Sequence, residues 1–242
     1  MATRSQEFGH LESRHRELVA KYLQPTIDAE KNALENREAL PATDFDQLAS
    51  FRLLMHAELE GYFERKASRA LAELQAEFDK DKVRTRDFAA LVSLFLFAVP
   101  ADASSGSQGS KSHPEPMWTP DGKGEFKNSA QRALGQAREF IKTNNGIKEA
   151  SVYVLSALQG HFPDELDDVL VTTLNEFGKL RGDVAHDSWK HNTRTFQSAE
   201  IEKKQVETIL SLVETFYESK VSLKMTTTKN ISTSPIAELR NL

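Results

Sequence analysis

The sequence contains no cysteine, which excludes disulfide bonds, thiol nucleophiles and zinc sites built on cysteine. It also lacks a long hydrophobic run. The longest, FAALVSLFLFAV at Phe88–Val99, is shorter than the roughly 20 residues that a membrane-spanning helix needs. The N-terminal stretch has no apolar segment of the kind that a secretory signal carries. We therefore expect a cytoplasmic protein that makes no contact with a membrane.

An excess of positive charge is absent as well. Lysine and arginine total 31 against 36 aspartate and glutamate residues, which gives a formal net charge of −5. A nucleic acid would therefore have to be bound by a local basic patch rather than by the surface as a whole. No metal-ligand spacing and no glycine-rich phosphate loop is present, so we predict neither a metal nor a cofactor.

Sustained strand alternation is missing, and apolar residues recur instead at helical steps of three and four. In PATDFDQL, Thr43 is predicted to cap a helix, with Asp46 at the acidic position three residues later. Pro25 predicts a kink or break in the helical segment before it. Residues Arg86–Val99 are apolar nearly all round and predict the central buried helix. The helix after Thr43 carries one apolar stripe, which consists of Leu48, Phe51, Met55, Leu59, Tyr62, Phe63, Leu71 and Leu74.

The composition changes abruptly at residues 100–125, which hold four of the eight prolines and four of the eleven glycines. Such a stretch predicts a flexible, disordered or irregular insert rather than a packed element. Helical patterns resume after it, with a stop signal at Thr143–Gly146. We predict a single all-α domain over residues 1–225, with the insert inside it, and a poorly ordered tail at 226–242.

The stretch NEFGKLRGDVAHDSWKHNTR, Asn175–Arg194, places Arg181 and His186 near the predicted end of an amphipathic helix. Arginine stays cationic and matches phosphate oxygens, and histidine transfers protons near neutral pH. On a regular helix, five residues give a rise of about 7.5 Å and a rotation of about 140°, so the two side chains of one copy would not lie together. Either the helix loosens at Gly182 or a second chain completes the site.

The spacing alone is weak, since it occurs again at Arg4 and His10 in a segment with no supporting context. An ordinary solvated helix end is the alternative interpretation of Arg181 and His186. Around them, Asp183 can orient the imidazole of His186 if the helix persists, and the upstream Glu60 can support Arg181 from behind. Positive charge that can contact phosphate, or simply face solvent, is added by Lys179, Lys190, His191 and Arg194.

The segment LNEFGKLRGDVAH, Leu174–His186, resembles the signature helix of the HEPN superfamily, whose motif is arginine, four to six residues, then histidine. With NNGIKEASVYVLSAL before it, the chain from Phe45 to Tyr217 resembles the RiboL-PSP-HEPN subgroup or its MAE-type relatives. The resemblance implies an HEPN-like helical bundle that dimerises and, as in many members, acts as a metal-independent endoribonuclease, with Arg181 and His186 in its site. It implies RNA and a second copy as partners, and an antitoxin or defence-system protein in many members.

Two positions depart from the family pattern. Gly182 follows Arg181, where active members often have Asn, Asp or His. Ser188 stands two residues after His186, where toxins silenced by a nucleotidyltransferase often carry tyrosine, so we do not expect that form of regulation. The resulting expectation is an endoribonuclease of anti-phage defence or a toxin-like system, with a site at a homodimer interface. The alternative is a non-catalytic dimeric helical interaction or adaptor module.

Overall fold

The structure is a computed structural model that describes residues 4–80, 86–95, 123–161, 165–186 and 197–218, without the side chains of 86–87, 123–125 and 183–186. Every regular element in these ranges is a helix and none is a strand, which confirms the predicted all-α class. The predicted insert at 100–125 lies outside the described residues, except that a helix already begins at Lys123. The predicted tail at 226–242 lies outside them entirely.

Short π-helical turns, Val19–Leu23 and Glu214–Glu218, follow the first and the last α-helix. Pro25 is the second residue of a helix, where its missing N–H is not needed, so the predicted kink or break there is replaced by the π-helical turn before it. No helix within the described ranges combines the length and the apolar character that crossing a bilayer requires.

The α-helices are α1 (Gln6–Leu18), α2 (Gln24–Asn36), α3 (Phe45–Asp79), α4 (Arg86–Ser93), α5 (Lys123–Thr143), α6 (Glu149–Leu158), α7 (Asp168–His186) and α8 (Ala199–Val213).

Helix α3 is the centre of the bundle and contacts α1, α5, α6, α7 and α8. Its predicted stripe is buried from Leu48 to Leu71, with side chains at most 4% exposed, and Leu74 is partly buried. Of the predicted central buried helix Arg86–Val99, residues 96–99 lie outside the described part. In the described part the central position is wrong, because α4 packs chiefly against α5, while burial is confirmed at Phe88, Leu91, Val92 and Phe95. A helix of 35 residues is about 50 Å long, so α3 offers every other helix a common face, which the eight residues of α4 cannot do.

The N-terminus of α3 is capped by Asp44 and not, as predicted, by Thr43. One carboxylate oxygen of Asp44 accepts hydrogen bonds from the backbone N–H groups of Asp46 and Gln47, both at 3.1 Å. Both residue types can cap a helix, but Asp44 directly precedes the first helical residue, Phe45, and its side chain is the one within reach.

Two buried carboxylates tie α3 to the C-terminal part of the bundle. Arg52 on α3 and Glu202 on α8 are both fully buried and form an ion pair. Glu218, only 3% exposed, accepts hydrogen bonds from the Ser5 N–H at 2.7 Å and from the Tyr62 hydroxyl at 2.8 Å. A buried charge is tolerated when it is paired in this way. These contacts therefore fix how the start of α1, helix α3 and the C-terminal π-helical turn Glu214–Glu218 pack together.

Candidate functional site

Helix α7 carries the Arg–His motif and is regular from Asp168 to His186. Gly182 lies within this α-helix, so the helix does not loosen there. The backbones of Arg181 and His186 are therefore separated by a rise of about 7.5 Å and a rotation of about 140°. The sequence allows either a helix that loosens at Gly182 or a site completed by a second chain. This structure does not show the first arrangement.

Arg181 is half-buried, on the part of α7 that faces α3. Its charge acts on two α3 side chains, His56 and Glu60, and lowers the pKa of each. Within the described ranges, no hydrogen bond or ion pair engages its guanidinium. Arg181 thus has no ion-pair partner among those residues, and the Glu60 carboxylate acts on its charge only from beyond ion-pair distance. It lies at the mouth of a polar cluster on α3.

His56 forms the floor of this cluster and is 2% exposed. Its ring stacks on that of Phe177 of α7, with centroids 6.3 Å apart and planes inclined by 22°. Burial, with the charge of Arg181 as a second cause, lowers the pKa of His56 from 6.5 to about 4. The imidazole is therefore neutral at neutral pH, and its Nδ1 lies 3.8 Å from the nearer Glu60 oxygen, beyond hydrogen-bonding distance.

Glu60 lies one turn after His56 and holds the turn between α5 and α6. Its Oε1 accepts hydrogen bonds from the Gly146 N–H and, at 3.4 Å, from the Asn144 side-chain amide. That amide also donates to Glu64 at 2.9 Å. Burial raises the pKa of Glu60, and the Glu64 carboxylate adds to the rise, while the Gly146 N–H and Arg181 act in the opposite direction. The hydrogen bonds of Glu60 are thus made to the turn between α5 and α6, and they hold this turn against α3.

Gly146 allows this turn to approach α3 closely. Its φ of +126° lies in the region that favours glycine, and a Cβ atom at this position would stand 3.7 Å from Cε1 of His56. The turn therefore closes over the imidazole. His56 Nδ1 and Asn144 Oδ1 are both buried and have no hydrogen-bond partner among the described residues.

The structure brings together only some of the site residues predicted from the sequence. Arg181 and Glu60 belong to one cluster, and Lys179 is exposed on α7. Asp183 and His186 are placed on α7 by their backbone, and their side chains are outside the described part. The remaining predicted RNA contacts, Lys190, His191 and Arg194, lie outside the described residues.

Two members of the cluster, His56 and Asn144, had no predicted role. The one available signal for His56 is its place among apolar residues, four positions before Glu60. Asn144 has none beyond the helix stop to which it belongs, because its contact with Glu60 joins residues 84 positions apart.

The second occurrence of the Arg–His spacing has a structural explanation. Arg4 forms ion pairs with Glu12 at 3.1 Å and with Glu214 at 2.5 Å. His10 is exposed and lies 3.9 Å from Glu58, which also binds Arg14 at 3.0 Å. The arginine of this pair is neutralised on both sides, whereas Arg181 is not, so the two matches to the pattern differ in their electrostatics.

Comparison with protein-family models, with curated proteins and with solved structures finds no match for this chain. The resemblance to the HEPN superfamily therefore stays a prediction from the sequence. Among the described residues, no group of three or more His, Asp or Glu side chains is arranged to hold a metal ion. The geometry around Arg181 is the basis on which a function can be argued.

Proposed function

We propose that this protein is an endoribonuclease of HEPN type that cleaves RNA without a metal ion, as a homodimer. One observation carries the proposal. Arg181 forms no ion pair or hydrogen bond with any described residue, and it lies near Glu60 and neutral His56 on a regular helix that ends at His186. A structural arginine such as Arg4 is neutralised by two carboxylates instead. An unneutralised, half-buried guanidinium is suited to receive a phosphate oxygen.

The reaction uses the 2′-hydroxyl of RNA as its nucleophile. A base removes the hydroxyl proton, the 2′-oxygen bonds to phosphorus, and the bond from phosphorus to the 5′-oxygen breaks. An acid gives a proton to the departing oxygen, so the products are a 2′,3′-cyclic phosphate and a 5′-hydroxyl. We assign proton transfer to His186, with Asp183 orienting it, and charge stabilisation to Arg181.

The regular α7 helix favours a site shared between two copies. In one chain the backbone positions of Arg181 and His186 are about 140° apart around α7, so two copies offer a simpler way to bring an arginine and a histidine to one phosphodiester. A two-fold axis beside α7 would bring the arginine of one copy near the histidine of the other, and the converse. His56, Glu60 and the turn at Gly146 then act as the support that keeps Arg181 in place.

The test is cleavage of total RNA in the presence of EDTA. The wild-type protein is expected to cut RNA and to leave 2′,3′-cyclic phosphate ends, and single-stranded DNA should resist because it lacks the 2′-hydroxyl. His186→Ala should lose about 10²–10⁴ in rate. His10→Ala is the matched control, since His10 belongs to the other Arg–His pair and should be dispensable.

Two results would contradict the proposal. Strict dependence on magnesium, or efficient cutting of single-stranded DNA, would rule out a reaction that relies on the 2′-hydroxyl alone. An absence of cleavage by the wild-type protein would favour the alternative, a non-catalytic helical interaction module, for which His186→Ala would leave every property of the dimer unchanged.

A further inference from the structure

A cavity of about 440 Å³ lies between α3 and α5, apart from the Arg181 cluster. Its apolar wall is formed by Leu71, Ala72 and Ile141, and its polar rim by Gln75, Arg138 and Lys142. The volume falls in the range of about 300–1,000 Å³ in which small-molecule sites are found. A site with aliphatic walls and cations on its rim suits a flat apolar group attached to an anion.

The orientation of Arg138 is fixed by a neutral partner. The Gln75 amide donates to Asp79 at 2.7 Å, which leaves its carbonyl oxygen to accept a hydrogen bond from the Arg138 guanidinium. This bond positions Arg138 on the rim without cancelling its charge. Lys142 is 3.9 Å from Glu139, a loose and exposed pair, so part of its charge is also available to a ligand.

Arg65 lies on the same face of α3 but does not line the cavity. It precedes Ser68, another residue that lines the cavity, by three positions, so both side chains lie on one side of the helix. The Arg65 guanidinium folds back over Gly61, where a Cβ atom would stand only 2.8 Å from Nη1. Within the described ranges no carboxylate is paired with it. In a chain of net charge −5, Arg138 and Lys142 are the cations that line the cavity and give it a local positive charge.

We propose that this cavity binds one nucleotide of the single-stranded RNA substrate, outside the bond that is cleaved. The base packs between Leu71, Ala72 and Ile141, and the adjoining phosphate is held by Arg138 and Lys142. This inference rests on the proposed function, because it assigns a second contact to the same RNA.

The position of the cavity fits that assignment. It adjoins α3 at Ala72, and the Arg181 cluster adjoins α3 at Glu60, so the two lie about 18 Å apart along one helix. Asn144 of the cluster comes just after Lys142 of the cavity in the chain. A short single strand can therefore reach both places along the α3–α5 face.

The test measures binding rather than cleavage, with a short 2′-O-methyl oligoribonucleotide that cannot react. Arg138→Gln and Lys142→Gln are each expected to weaken binding about fivefold to tenfold. Each should also lower the slope of log affinity against log salt concentration by about 0.7, the share of one phosphate contact on a single strand. Ala72→Leu, which fills the cavity, should weaken binding without altering this slope. Arg16→Gln and Ala29→Leu, at exposed positions on α1 and α2, are the matched controls.

The outcomes separate this inference from the proposed function. If the cavity variants bind as tightly as the controls, the inference is wrong, even when the wild-type protein cleaves RNA. If the cavity variants bind the oligonucleotide more weakly than the controls while the wild-type protein cleaves no RNA, the cavity is a nucleotide site and the proposed function is wrong. Adenosine monophosphate serves as a competitor. Displacement of the oligonucleotide supports recognition of one nucleotide unit, whereas binding of the monophosphate without any binding of the oligonucleotide would overturn the assignment to RNA.

Discussion

His56 is enclosed in the fold as a neutral imidazole, and this has a measurable effect on stability. Burial, assisted by Arg181, lowers its pKa to about 4, while in the unfolded chain it stays near 6.5. Between these values the unfolded state binds a proton that the folded state excludes, so the free energy of unfolding rises with pH through this window. For a drop from pH 6.5 to 4.5, linkage attributes a loss of about 2 kcal/mol to this residue.

We therefore expect His56→Gln to lose about 2 kcal/mol less stability than the wild-type protein over that drop in pH, as measured by urea unfolding. The raised pKa of Glu60 has the opposite sign, because its contribution falls as pH rises, but Glu60 is present in both proteins and cancels in the comparison. His10→Gln, at an exposed position, should behave like the wild-type protein. Equal losses for His56→Gln and wild type would mean that folding does not lower the pKa of His56.

The sequence specifies part of this cluster and not the rest. The helical period places His56 and Glu60 one turn apart on α3, and the motif identifies Arg181. The contacts of Glu60 with Asn144 and Gly146 join positions 84 and 86 residues apart. Periodicity reports which face of a helix is apolar, but it contains no information on which distant turn will close over that face.

The helices show the same division between local and global information. The sequence predicts which residues of α3 form its apolar stripe, but it assigns the central position in the bundle to the wrong helix. The apolar character of a helix does not determine how many other helices will pack against it. The apolar residue Ile201 is 48% exposed in the first turn of α8. There Glu202 takes the buried position to reach Arg52, so one buried ion pair overrides the hydrophobic pattern.

Substitutions at two glycines test whether α7 is regular at Gly182 and whether the turn between α5 and α6 needs a glycine at position 146. A Cβ atom at Gly182 would meet nothing within 4 Å, so Gly182→Ala is expected to stabilise the protein by about 0.5–1 kcal/mol, as is Gly135→Ala, the control in α5. Gly146→Ala must adopt a φ near +126° and should cost about 1–3 kcal/mol. Thermal unfolding measures all three.

The same Gly182→Ala variant has a catalytic readout. If α7 stays regular during the reaction, as it is in this structure, the variant should cleave RNA at the wild-type rate. A stabilised protein that has lost cleavage would show that the helix opens at Gly182 when RNA is bound, and the argument for a shared site would lose its geometric basis.

The complete molecule carries a net charge of −5, so the field that attracts RNA must be assembled locally. In one copy, the backbone positions of Arg181 and His186 are about 140° apart around the regular helix α7. Pairing two copies around a two-fold axis would double the cations in one cleft and place each arginine beside a histidine of the other copy. Activity should then belong to the dimer and not to the isolated chain.

Mixing two inactive variants tests this arrangement directly. Arg181→Ala and His186→Ala homodimers should each lose about 10²–10³ or more in cleavage rate, with no loss of fold, since polar positions on a helix face contribute little to stability. After subunit exchange, a heterodimer holds one intact composite site if the arginine and the histidine come from opposite chains. Partial recovery in the mixture, absent when either variant is mixed with itself, is the expected result. A monomer that cleaves as fast as the dimer, or a mixture that stays inactive after verified exchange, would show that each chain works alone.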